Sequence, residues 1–215
     1  MAAPHRPMPH RSVRVDRLAV AALLAVIALF AATLWRPPYP REQWLQHAAT
    51  VPLLIALAID LRRGALSRLG FVCVAAFVSL HVIGARWLYS MVPYDAWLDA
   101  IGLPSTREAF GWTRNHYDRL VHLSFGLLLM RPLADLVSRS QPTLTRRATT
   151  VAALVLVTCC GAAYEIFEWL LAVVMSPDAA ERYNGQQGDF FDAQKDLTLA
   201  AVGSVIAIPW AARRR

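Results

Sequence analysis

Apolar runs recur six times along the chain, at 18–35, 44–60, 69–90, 118–137, 149–175 and 189–210, each bounded by arginines, prolines or carboxylates. At 1.5 Å per helical residue each reaches across about 30 Å of hydrocarbon, the second barely. The pattern predicts an all-α, polytopic membrane protein: one bundle of six transmembrane helices over 18–212, between basic tails at 1–17 and 213–215. The connections are too short to hold a second domain. Two of them predict structure of their own. Pro93 starts a short helix that Gly102 ends, with Tyr94, Trp97, Leu98 and Ile101 as an apolar edge, and Ser105 then caps a helix whose third residue is Glu108. Later, Ser176, Pro177 and Asp178 open a helical turn that Asn184 and Gly185 close.

Composition agrees. With 56% hydrophobic and 17% charged residues in 215, the chain is too apolar for an ordinary soluble domain. Its net charge of +7 does not point to nucleic acid, because the basic residues alternate with the apolar runs and form no patch with stacking aromatics. Thirteen of the 22 basic residues, among them Arg6, Arg11, Arg14, Arg62, Arg63, Arg139, Arg147 and Arg213, fall on one side of the predicted bundle. That side is taken as cytoplasmic, which puts both termini inside. The first run ends in Trp35 and Arg36 with no small-residue cleavage triplet, so it is expected to stay as an anchor. Cys73, Cys159 and Cys160 lie within apolar runs and are expected to pack as small apolar residues.

Placed by depth, the polar residues gather toward the opposite, outer end. His81 falls just beyond the middle of the third run, with Arg86 and Tyr89 nearer its end. His116, Asp118, Arg119 and His122 open the fourth run, and Asp118 and His122 share a helix face. Glu165 and Glu168 share a face in the fifth, and Asp189, Asp192 and Asp196 form one stripe at the start of the sixth. His47, near the end of the second run, is expected at the membrane interface. A lone intramembrane histidine is commonly hydrogen-bonded within a bundle, an arginine snorkels and an aspartate suits a helix start. Coincidence in depth across four runs is what points to a site.

Four strings, HVIGARWLYSMVPYD (81–95), RNHYDRLVHLSFGLLL (114–129), YEIFEW (164–169) and GDFFDAQKDLTLAAVGS (188–204), resemble those of the YjdF-like inner-membrane proteins, a bacterial family of unknown function. The resemblance spans residues 20 to 212 and implies a small multi-pass protein of the bacterial inner membrane, its partner the lipid bilayer. It supplies no chemistry, which comes from the residues instead. Histidines with several carboxylates suit a divalent zinc, manganese or iron ion. The expected metal ligands are His81, His116, Asp118 and His122. Glu165, Glu168, Asp192 and Asp196 are the expected catalytic carboxylates, and Arg86, Arg119 and Tyr89 the expected substrate-binding side chains. Such a set suits a metal-dependent hydrolase acting on a lipid-like or envelope substrate. A proton- or cation-coupled transporter and a non-catalytic scaffold stand as alternatives, and the residues alone leave enzyme and non-enzyme both open.

Overall fold

The computed structural model describes residues 16–211, so the arginines of the two tails at positions 6, 11, 14 and 213 to 215 lie outside the described residues. The described chain is helical without strands: α1 (Arg17–Thr33), α2 (Pro40–Arg63), α3 (Arg68–Arg86), α4 (Tyr94–Ala100), α5 (Thr106–Phe110), α6 (Tyr117–Ser140), α7 (Arg146–Val174), α8 (Pro177–Asn184) and α9 (Asp192–Ala211). Four of these, α2, α3, α6 and α7, are long and apolar enough to cross a membrane. Helix α1 is equally apolar but has 17 residues. Helix α9 is interrupted in its first turns by Asp192, Lys195 and Asp196.

Local chemistry sets the boundaries. Asp16, Ser67 and Thr145 cap α1, α3 and α7 through their side chains, and the capping box between Ser105 and Glu108 forms on α5. The short helices α4 and α8 appear where the turn residues placed them. The third run stops earlier than its hydropathy predicts, at Arg86 rather than Ser90, because Leu88 and Tyr89 adopt left-handed backbone angles, φ 49° and 56°. The last helix likewise begins at Asp192 and not at Asp189.

Helix α6 is the hub: it packs on α9, α3 and α7, while α1 and α2 pack on α3. Its closest partner is α9. A methyl group on Gly126 would sit 2.8 Å from the Ser204 amide nitrogen, and one on Gly203 2.8 Å from that of Leu127, so backbone meets backbone there. Met130, Ala134, Val157 and Ala207 close the core among α6, α7 and α9. Helices α2 and α7 leave a gap between them. An apolar crevice of about 460 Å³ fills it, with α3 and α6 as its floor. Ala49, Leu53 and Ala56 of α2 and Cys160 of α7 line it and are exposed, so it opens sideways. Only Cys73 of the three cysteines is buried; Cys159 and Cys160 are exposed on α7 and do not pack in the core.

Candidate functional site

The tight α6 contact fixes which polar groups meet. With α9 held against α6, Asp192 and Asp196 face Arg119, and α7 brings Glu165 beside His122. The His122 Nε2 atom is 3.5 Å from Asp118 Oδ1 and 3.8 Å from Glu165 Oε1. Asp118, His122 and Asp196 each offer a ligand atom within 4.8 Å of the other two. Glu165 Oε1 is buried without a hydrogen-bond partner, on a side chain only 10% exposed. Such an orphan is costly unless a proton, a cation or a ligand satisfies it.

The charges around this group are divided unevenly. Arg119 holds Asp192 at 2.5 Å and Asp189 at 3.2 Å, and pairs with Asp196. Arg114 adds a contact of 2.6 Å to Asp192, and Lys195 one of 2.6 Å to Asp189. Hydrogen bonding to Lys195 holds the Asp189 carboxyl below its ordinary value. By contrast, no arginine or lysine among the described residues forms an ion pair with Asp118, Glu165 or Glu168. Of these three carboxylates only Asp118 lines the crevice, and among the described residues His122 pairs with Asp118 and Glu165 but not with Glu168.

The crevice supplies the apolar half of the site. Asp118, His122, His81, Tyr89 and Tyr164 line one end, and Leu129, Leu133 and Leu136 of α6 line the rest. From Asp118 to Leu136 it runs roughly 27 Å at 1.5 Å per residue, close to the depth of a bilayer's hydrocarbon. The shape suits an amphiphile with an oxygen-rich head and a long apolar chain.

The structure brings Asp118, His122, Glu165, Asp192, Asp196 and Arg119 together, with Glu168 one turn from Glu165 and beside Tyr164. Other expected residues go elsewhere. His116 precedes α6 with its ring 4.3 Å from that of Trp112; desolvation, then Arg114 and Arg119, lowers its pKa. Arg86 donates to the carbonyls of Thr33 at 2.6 Å and Trp35 at 2.8 Å, tying α3 to the end of α1. His81 has both ring nitrogens engaged, by Thr50 at 2.7 Å and by the Tyr89 hydroxyl. Tyr89 does reach the crevice. His47 is not interfacial: it is 1% exposed and hydrogen-bonded between Gln43 and Thr50. Helical phase had hidden how far α2 turns this side chain toward α3.

Arg114, Lys195, Tyr164, Gln43 and Thr50 were missed. The first three sit within the strings singled out above, and their charge or aromatic character was the available signal. Gln43 and Thr50 carry none, since neutral polar residues are common in helices, Gln43 near the start of α2 and Thr50 in its middle.

The chain is 26% identical over 171 residues to the inner membrane protein YjdF of Escherichia coli (strain K12), an alignment covering 79% of this chain and 78% of that protein. No solved structure matches. The described helices and this relative make it a multi-pass protein of the inner membrane. Residues 18–215 match the predicted membrane protein family DUF2238, and to that family the chain belongs.

Proposed function

We propose that the protein is a metal-dependent hydrolase that takes a lipid or lipid-linked envelope substrate from the bilayer. One observation carries this reading. Asp118 and His122 line the polar end of an apolar crevice open to the side, and their ligand atoms lie within 4.8 Å of each other and of one from Asp196 behind them. A divalent ion of the zinc, manganese or iron class held there would supply Lewis acidity to an ester or phosphoester oxygen. Glu165, unpartnered beside His122, takes the proton of the attacking water as the new bond to carbon or phosphorus forms. It returns that proton to the oxygen of the departing alcohol. Arg119 holds Asp192 and Asp196 in place, and the apolar chain of the substrate rests along α6. A carrier would need polar groups continuing through the bundle, whereas the deeper crevice is lined by leucines down to Asp60, whose carboxylate accepts from Ala65 and Leu66 amides.

The same reading takes residues 18–212 as one domain of six transmembrane helices, α1 and α9 included, with both termini cytoplasmic and the carboxylate end facing outward. Supporting it are Arg62, Arg63, Arg139, Arg146 and Arg147, all at the end of the bundle opposite Asp118. Single cysteines at positions 147 and 181 test this. Labelling of position 147 only from the cytoplasm and position 181 only from outside is expected; the reverse pattern would invert the site.

For the chemistry, elemental analysis of the full chain in nanodiscs should find stoichiometric metal that Asp118→Asn and His122→Gln lose. Glu165→Gln should keep the metal while lipid mass spectrometry shows its hydrolysis products gone. Wild type that takes up no zinc, manganese or iron removes the hydrolase.

A further inference from the structure

Behind the crevice lies a chain of buried hydrogen bonds that the metal group does not use. Gln43 Nε2 donates to the Thr33 carbonyl at 3.0 Å and sits 3.1 Å from His47 Nε2. An amide nitrogen has only protons to give, so His47 Nε2 accepts and the imidazole proton resides on Nδ1. That Nδ1–H donates to Thr50 Oγ1 at 3.1 Å. The Thr50 hydroxyl, having accepted, donates to His81 Nε2 at 2.7 Å. His81 then carries its proton on Nδ1 and gives it to the Tyr89 hydroxyl oxygen. Set by Gln43, every bond of the chain points the same way, against the competing pull of the Gln46 carbonyl on His81. At the end of the chain Tyr89 has accepted, and its hydroxyl makes no further hydrogen bond among the described residues.

Tyr89 is 9% exposed, and it lines the crevice beside Asp118 and His122. The backbone is bent to put it there. Leu88 and Tyr89 are both left-handed, and the Tyr89 amide closes back on the Gly84 carbonyl at 2.8 Å. The ring lies where a methyl group on Gly84 would meet Tyr89 Cε1 at 2.7 Å. Consecutive left-handed residues with bulky side chains persist only where surrounding structure enforces them, and they cluster at binding sites.

We infer that the Tyr89 hydroxyl is a hydrogen-bond donor to a headgroup oxygen of a bilayer lipid held in the crevice, and that Gln43 sets its direction through His47, Thr50 and His81. These four are positioning residues. The chain is no proton path, because the Gln43 amide cannot accept a proton and so ends it. Gln43→Glu reverses the polarity: a carboxylate accepts from His47 Nε2–H, each later bond inverts, and the Tyr89 proton turns inward to His81 Nδ1.

The inference rests on the crevice being a lipid site but not on the metal. Nitrogen NMR of the full chain labelled with ¹⁵N-histidine should report Nδ1–H for His47 and His81 in wild type and Nε2–H for both in Gln43→Glu. Native mass spectrometry, titrating phosphatidylglycerol and diacylglycerol separately, should show Tyr89→Phe and Gln43→Glu binding about threefold to tenfold more weakly. A loss confined to phosphatidylglycerol identifies a phosphate oxygen as the acceptor, and a loss with both identifies an ester carbonyl. Thr50→Val should weaken binding similarly and Thr50→Ser restore it, which keeps the test intact should Gln43→Glu fail to fold. Nε2–H on either wild-type histidine overturns the inference. So does Tyr89→Phe binding both lipids like wild type, or wild type binding neither. Metal content in the same samples separates the two readings, since protein without metal that passes these tests removes the hydrolase alone.

Discussion

The two ends of α6 use the same residue types to opposite effect. At the end near Arg139, Asp135 is met by Arg131 at 3.1 Å and accepts from the Ser67 amide at 2.7 Å and hydroxyl at 2.5 Å. Arg131 also donates to Ser67 Oγ at 3.1 Å and to the Trp210 carbonyl at 3.2 Å, so α3, α6 and α9 are joined by one neutral network. At the end near Asp118, Arg119 is likewise shared, but Asp118, which lines the open crevice, Glu165 and Glu168 have no ion-pairing arginine or lysine among the described residues. Buried charge of either kind is costly, and only the matched kind locks a fold. The difference lies in stoichiometry and access, not in composition.

That contrast breaks most visibly at the matched end. Arg131→Met leaves the Asp135 carboxylate buried without its cation, and should cost about 3 to 5 kcal/mol, read as a large fall in melting temperature in detergent. A variant that melts like wild type would mean that Asp135 is not held as an ion pair.

Between the ends lies the neutral chain. Thr50→Val removes both of its bonds to His47 and His81, and should lower stability by about 1 to 2 kcal/mol, with Thr50→Ser recovering most of it. Equal losses for both substitutions would point to packing of the methyl group instead.

At the unmatched end removal should be free. Glu168→Gln, compared with wild type after metal removal in one detergent, should melt at the same temperature or higher, because it relieves repulsion from Glu165 and Asp118. A drop of several degrees would make Glu168 a structural partner and collapse the distinction between the two ends.

The smallest effect belongs to the rim. Lys195 depresses the Asp189 carboxyl below its ordinary 3.8, so its contribution is complete above that value and lost as pH falls through the lower, folded value. Lys195→Met should therefore lower the melting temperature slightly at neutral pH, with the difference from wild type disappearing as pH falls below the folded value of Asp189. A loss at neutral pH of more than about a degree would show the pair to be stronger than an exposed bridge.

Hydropathy, caps and turn residues determined the helical class, the position of the short helices at Pro93, Ser105 and Pro177, and the gathering of Asp118, His122, Glu165 and Asp196 at one depth. These are short-range properties, written in which side chains tolerate hydrocarbon and which close a helix end. Depth is a single coordinate, however, and the azimuth of each helix is set by packing. Only the contact of Gly126 and Gly203 with backbone on the facing helix put Arg119 against Asp192 and Asp196. Only the left-handed turn at Leu88 and Tyr89 folded Tyr89 back toward His81, and only the rotation of α2 buried His47 between Gln43 and Thr50. The same geometry carried Arg86 away to the end of α1 and engaged both nitrogens of His81. A hydrogen bond needs atoms within about 3 Å and aligned, and no one-dimensional pattern holds that information.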